Sequence, residues 1–221
     1  MLTTSKQLKN EPSALNNLDI PAQSQTAMRT SLMVDFRHPL ANLRPNYSQG
    51  EPEARFTAAF ARSYSAKANR IHTGSSRTNL LLTTELPVNG YGIADLVAVF
   101  WKNEHENPQT AATLPNGGDD KFTIRVFESK LGDWKKGLMQ AHRYSYFADA
   151  AFLVYPMAKI KRLQGKIDTF QKLGVGLWGF DEKTGVIRPI YTPRPRKPRV
   201  LKHRRPTLER VLLSSISPPP V

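Results

Sequence analysis

Ile124-Arg125-Val126-Phe127-Glu128-Ser129-Lys130 is the stretch on which the fold turns. Read as a strand, its side chains alternate between two faces. Ile124, Val126, Glu128 and Lys130 share one of them, so two apolar residues lead to an acid and a base. A second run, Ile93-Ala94-Asp95-Leu96-Val97-Ala98-Val99, puts Ile93, Asp95, Val97 and Val99 on one face. A carboxylate on such a face is costly unless it is paired or holds a metal. Taken alone, Asp95 reads as an edge residue accepting backbone N–H bonds. Glu128 with Lys130 alone reads as an exposed ion pair of little worth. Taken together, two adjacent strands each bring a carboxylate out of an apolar face. Two hard oxygen ligands with room for others suit Mg²⁺. A lysine beside them can stabilise charge on a phosphate oxygen or help deprotonate a water.

The pattern outward from these strands predicts a mixed α/β fold. Glu51 to Tyr64 reads as a helix, with Pro52 at its first position. Phe56, Ala59, Phe60 and Ser63 fall on one face. Leu80 to Val88 and Tyr91 to Trp101 read as strands, and Asn89-Gly90 between them is a hairpin signal. Lys102 to Lys121 is hydrophilic and reads as a long loop before the strand Phe122 to Leu131. Asp133 is placed to cap a helix reaching about Asp149. Trp134, Leu138, Ala141, Ser145 and Ala148 form its inner stripe, and Gly137 permits close approach. A strand at Ala151 to Tyr155, a helix near Leu163 to Leu173, a strand at Val175 to Phe180 and a return at Gly185 to Ile190 complete the order. Antiparallel strands come first and helix-linked strands later, so a mixed central sheet flanked by helices is expected. The domain organisation read from composition is a polar arm over 1–48, a core over 49–192 and a basic, Pro-rich tail over 193–221. A short apolar patch, Leu32 to Phe36, reads as a strand or a docking segment within the arm. Extended terminal segments therefore flank the core.

The chain has 221 residues, 39% hydrophobic and 23% charged, with a formal net charge of +14. That length is enough to bury a core. The charge excess points to a polyanionic partner, with DNA first. It is concentrated between Pro193 and Pro206, where seven Lys or Arg residues occur with no acid. They are Arg194, Arg196, Lys197, Arg199, Lys202, Arg204 and Arg205. The prolines there suggest an extended arm that follows a phosphate backbone. Thr207 to Ile216 reads as a short helix, with Leu208, Val211 and Leu212 as a docking face for a protein partner. There is no cysteine, which excludes disulfides, thiol nucleophiles and zinc–thiolate sites. No apolar run approaches the roughly 20 residues that span a bilayer, and Met1 to Asn10 lacks a signal-peptide core. A cytoplasmic location with no membrane partner is the expectation. The histidines His38, His72, His105, His142 and His203 show no metal-ligand spacing, and no Gly-rich phosphate loop is present.

Asp95, then Glu128-Ser129-Lys130, then a helix carrying Gln140 and Tyr144 resembles the PD-(D/E)xK nuclease superfamily. The resemblance spans about Glu51 to Asp181 and includes the helix–strand order. It implies a restriction-endonuclease-like core (α-β-β-β-α-β) and a metal-dependent endonuclease that hydrolyses DNA phosphodiester bonds. Carried over residue by residue, Asp95 and Glu128 bind Mg²⁺ or Mn²⁺. Lys130 is the catalytic base or electrostatic stabiliser. Gln140 and Tyr144 match a Q-x-x-x-Y pattern on one helix face, where they would support the site or touch the substrate backbone. Ala94 stands where the superfamily's motif has Pro, and the insert Lys102 to Lys121 is long. A further acid on the first helix is expected at Glu53, with Glu51 as substitute. A two-residue Asn89-Gly90 turn pairs Glu85 with Ala94 and turns it away from Asp95. Only a three-residue turn or a bulge would bring Glu85 to the site. The alternative function on the same fold is a non-cleaving nucleic-acid-binding or regulatory subunit of a nucleoprotein complex.

Overall fold

Seven strands form one sheet, and their spatial order is their order along the chain. They are β1 (Ser31–Val34), β2 (Thr78–Val88), β3 (Gly92–Lys102), β4 (Phe122–Ser129), β5 (Ala150–Pro156), β6 (Val175–Phe180) and β7 (Ile187–Tyr191). β1 to β4 are antiparallel, β4 to β6 are parallel, and β7 returns antiparallel. The α/β class and the mixed sheet are as the sequence pattern predicts. The computed structural model describes residues 31–34, 51–71, 78–102 and 118–214. The expected polar arm and the long loop therefore lie mostly outside the described residues. The apolar patch after Thr30 supplies β1, and Gly118–Lys121 forms a 3-10 turn into β4.

Among the described residues four α-helices cover the sheet: α1 (Pro52–Ile71), α2 (Trp134–Tyr144), α3 (Ile167–Leu173) and α4 (Leu201–Ser214). The parallel crossovers explain why helices are needed on the faces. α1 lays Phe56, Phe60 and Tyr64 against Leu82, Leu96, Phe127, Phe152 and Trp178. On the other side Val97, Val99, Ile124 and Val126 meet Tyr144, Phe147 and the α4 residues Leu208, Val211 and Leu212. Leu138 and Ala141 of α2 and Phe170 of α3 pack with Leu153 and Leu177. Each such side chain, fully buried, contributes about 1.5–3 kcal/mol.

Several elements differ from the sequence expectation. α1 runs about two turns past Tyr64, to Ile71, and Tyr64 rather than Ser63 is buried. α2 stops at Tyr144, short of Asp149; its cap Ser145 stays right-handed and its N–H reaches the Arg143 and His142 carbonyls. Phe147 and Ala148 are buried from the turn that follows. The segment before α3 is a 3-10 helix over Met157–Lys166.

The basic segment differs most. It is not a free extended arm: it straps onto the core and leads into α4, which begins at Leu201 and carries Pro206 inside it. The Arg196 N–H donates to Asp149 O (2.9 Å), and the Val200 N–H to Tyr146 O (2.8 Å). Arg204 is buried; its Nη1 donates to Asp149 Oδ2 (2.9 Å) and its Nη2 to Phe122 O (2.6 Å). The other face of the same carboxylate junction holds the sheet, since the Ile124 N–H donates to Asp149 Oδ2 at 2.6 Å. The physical reason for the difference is the apolar stripe Leu208, Val211 and Leu212, which finds the core of its own chain.

Arg204→Ala leaves Asp149 without its counter-charge. We expect a loss of about 3–5 kcal/mol in urea unfolding, with Asp149→Ala added to it costing much less than the sum of the two single changes. A loss for Arg204→Ala below about 1 kcal/mol would place the pair among solvent-screened ones.

Candidate active site

The pairing register assembles the site. The last β3–β4 pair is Leu96 with Phe127; one step further along the same ladder sets Asp95 opposite Glu128. In β2 the pairs Thr84–Leu96 and Leu86–Ala94 flank Glu85 opposite Asp95. Glu85, Asp95 and Glu128 therefore stand in one lateral row across three strands.

This corrects the expected position of Glu85. The β2–β3 connection is a three-residue loop, Asn89 to Tyr91, between the paired Val88 and Gly92. The Tyr91 N–H closes a turn onto Val88 O at 2.9 Å, and Gly90 alone of the central pair has positive φ, at +80°. That matches a type II turn rather than the two-residue hairpin turn, which needs positive φ at both Asn89 and Gly90. Tyr91 is held in the loop by contacts with Tyr146, Phe147 and His203. The extra residue shifts the register by one.

Glu85 also has φ +49°, the one non-glycine residue with positive φ among those described. Such a backbone costs on the order of 1–3 kcal/mol and is retained where surroundings enforce it. Here it marks a change of phase. Leu81, Val97 and Val99 are the odd-numbered residues on the α2 and α4 side, yet beyond Glu85 the even-numbered Leu86, Val88 and Ala94 join them. The end of the hairpin thus turns onto the C-terminal part of α2. The Tyr144 hydroxyl lies 2.7 Å from Ile93 O, and Arg143 Nη2 donates to Gly90 O.

Glu128 is almost fully buried, 1% exposed. Its Oε1 lies 3.1 Å from Lys130 Nζ, and its Oε2 lies 3.1 Å from the Tyr144 hydroxyl. Lys130 Nζ is also 3.1 Å from Glu53 Oε2, and Glu53 Oε1 accepts the Leu131 N–H at 3.1 Å. The first turn of α1 therefore delivers Glu53 to the site, as expected, while Glu51 is exposed. Asp95 Oδ2 accepts the Ser129 N–H at 2.7 Å. Asp133 caps α2 through the Lys136 N–H, as expected. Gly137 makes room for Lys130: a Cβ there would lie 2.6 Å from Lys130 Cγ and 2.7 Å from Leu153 Cδ1.

Burial sets the electrostatics. It pushes the Glu128 carboxyl up to about 7, with the neighbouring Asp95 charge adding to the effect and Lys130 opposing it. It pushes Asp95 up to about 6, against the Ser129 N–H and Lys130, with Glu53 and Glu85 adding repulsion. Burial alone would lower Lys130, but Glu128, Asp95 and Glu53 outweigh it and its pKa is raised. The Tyr144 phenol is raised by burial and by Glu128, so it stays protonated. One phenol proton serves either Glu128 or Ile93 O, which fixes the carboxylate to the hairpin.

Of the residues expected at the site, Asp95, Glu128, Lys130, Glu53 and Tyr144 come together. Gln140 is one turn from Tyr144, but its Oε1 is a buried acceptor with no hydrogen-bond partner. Glu85 belongs with the group, and its positive φ was not visible in the sequence. Lys159 was also missed; its Nζ donates to Leu131 O at 2.6 Å and braces the loop after Lys130. Among the described residues no three His, Asp or Glu side chains are arranged as a metal cage. Mg²⁺ needs only one or two protein carboxylates, because water and phosphate oxygens complete its shell. The donor set of Asp95 and Glu128 fits that requirement. No family model, no curated protein and no solved structure matches this chain.

Both acids bind protons more tightly folded than unfolded, where carboxyls titrate near 4. Their contribution to stability is complete below the unfolded value and is lost as pH rises through about 6 to 7. In EDTA, Glu128→Gln should therefore gain thermal stability relative to the unmodified chain as pH rises from about 5 to 8. A difference in Tm that does not change with pH would show that Glu128 is ionised throughout.

Proposed function

We propose that this chain is a metal-dependent endonuclease that hydrolyses DNA phosphodiester bonds on a restriction-endonuclease-like core. The observation that carries the reading is the buried Glu128 beside the half-buried Asp95 on neighbouring strands, with the Lys130 ammonium against Glu128. Asp95 and Glu128 would hold Mg²⁺ or Mn²⁺, with Glu53 and Glu85 at the margin. The ion, when bound, supplies Lewis-acid charge against the phosphate and makes a water more acidic.

The residues divide the remaining work. Lys130 has a raised pKa, so it is an ammonium at neutral pH. That favours a role as donor to a phosphate oxygen in the transition state over a role as base. Glu53 and Glu128 hold its Nζ from two sides, and Gly137 leaves space for its stem. Tyr144 orients Glu128 through the 3.1 Å contact. In the reaction a water oxygen bonds to phosphorus as the water gives up a proton to solvent, the ester P–O bond breaks, and the departing oxygen takes up a proton from solvent. Burial excludes bulk water and strengthens each of these contacts.

Glu128→Ala and Asp95→Ala should abolish cleavage of plasmid and oligonucleotide DNA in Mg²⁺ while leaving DNA binding in EDTA intact. Lys130→Ala should slow cleavage on the order of a hundredfold or more, with KM little changed. Cutting by Glu128→Ala at the unmodified rate would remove the assigned site. An unmodified chain that binds DNA tightly and never cuts it would be a binding subunit instead.

Tyr144→Phe keeps the ring and removes the hydroxyl. It should lower kcat by roughly tenfold, the effect of about 1.4 kcal/mol in transition-state stabilisation, without loss of fold. Unchanged kcat would show that the Tyr144–Glu128 contact does not orient the carboxylate during turnover.

A further inference from the structure

We propose that the outer face of α2 and the strap that follows β7 form one surface for a nucleic-acid phosphate backbone, running from the start of α2, beside Lys130, to the strap that packs on Tyr146 and Asp149. The choice of DNA as the partner rests on the nuclease reading above; the surface itself rests on placement and charge.

α2 contains Lys135, Lys136 and Arg143, all exposed, and no acid. Its first turn carries two lysines where the helix dipole favours acids. A helix face that served only solubility would place Asp or Glu there. Lys135 lies over the Trp134 ring at 6.0 Å, which holds one of these charges near the helix start. α2 borders the site along its length, because Gly137 packs against the Lys130 stem and Tyr144 meets Glu128.

The other end of α2 meets the strap. Asp149 and Tyr146, which follow α2, accept the strap's Arg196 and Val200 N–H groups. The Arg199 guanidinium sits 5.5 Å above the Tyr146 ring, and Arg143 is anchored to Gly90 O. Arg196, Lys197, Arg199 and Lys202 are exposed on this ordered segment. Among the described residues none of them, nor Lys135, Lys136 or Arg143, makes a salt bridge. The buried Arg204 and the Glu209-paired Arg205 are thus separated from a set of exposed cations on α2 and the strap that make no salt bridge among the described residues. A polyanion that binds them releases counterions of its own.

The dimensions suit a nucleic-acid strand. The 11 residues of α2 span about 16 Å, the length over which one strand of duplex presents about five phosphates at 3.4 Å each. The contacts position the backbone and read no sequence.

The test uses the full-length chain in EDTA and a fluorescein-labelled duplex of about twenty base pairs, read by anisotropy over a salt series. Two triple variants probe the surface: Lys135→Gln, Lys136→Gln, Arg143→Gln, and Arg196→Gln, Lys197→Gln, Arg199→Gln. The control triple, Arg62→Gln, Lys183→Gln, Arg188→Gln, removes the same charge from exposed positions on α1 and around β7. Each surface triple should weaken binding at least tenfold at about 0.1 M salt and lower the log–log salt slope by about 2–3, near 0.9 per lost contact. The control should keep the unmodified slope. All three should retain the thermal transition, since surface changes of this kind move stability little. Surface triples indistinguishable from the control overturn the proposal, and if the unmodified chain still cuts DNA the nuclease reading stands without it. Loss of binding to phosphatidylserine vesicles with DNA affinity unchanged assigns the surface to a membrane and also overturns it. An unmodified chain that neither binds nor cuts DNA removes both readings.

Discussion

The constraint on which the centre of this protein depends is the cost of keeping two carboxylates out of water beside each other. Asp95 and Glu128 pay a desolvation penalty; the Asp95 charge further raises Glu128, while Glu53 and Glu85 further raise Asp95. Lys130 offsets part of that cost, yet a lone ammonium cannot serve both acids and Glu53 as well. The surrounding structure is arranged around this imbalance. α1 starts at Pro52 so that Glu53 reaches Lys130 and the Leu131 N–H. α2 carries Gly137 where any side chain would strike Lys130. Tyr144 reaches back along α2 to Glu128, in keeping with side chains that lean toward a helix N-terminus.

A second junction keeps that arrangement in place from the opposite end of β4. Asp149 ties the start of β4, the turn after α2 and the C-terminal segment through one carboxylate and two backbone groups. The Asp149–Arg204 pair replaces what a buried acid lacks, a counter-charge with a fixed fork of donors. Through Arg204 and the apolar stripe of α4, residues late in the sequence complete the core that covers Val97 and Val126.

Much of the fold could be read from the sequence because short apolar runs bounded by turn residues are a local signal. The runs at Leu80–Val88, Phe122–Ser129 and Val175–Phe180 announce their strands without help from distant residues. Glu128 and Lys130 were legible as an acid and a base at the end of one such run, and Glu53 through the helix pattern around Phe56 and Phe60. What failed depended on contacts far apart in the chain. One residue in the hairpin turn decides whether Glu85 faces Asp95, and that residue, Tyr91, is held by Tyr146, Phe147 and His203. The prolines of the C-terminal segment argued for an extended arm. The pairing of Arg204 with Asp149, 55 residues earlier, overruled them.

Two departures of this chain from local rules involve elements that build the site, the strand of Glu85 and the helix that packs against Lys130. Natural sequences agree across levels except where function demands a conflict. Glu85 holds a positive φ that its side chain disfavours, and Lys135 with Lys136 sits against the dipole of α2. Neither choice helps the fold: a glycine would relieve the first and an acid the second. The strained residue lies in a row with Asp95 and Glu128, while the lysines stand on the helix that shields Lys130. Stability alone would have removed both departures. Both elements belong to the site at the end of β4. On the nuclease reading proposed above, a polyanion approaching that end would meet the α2 lysines first and the acids of the sheet beneath them, where a bound metal would supply the charge that phosphate chemistry uses.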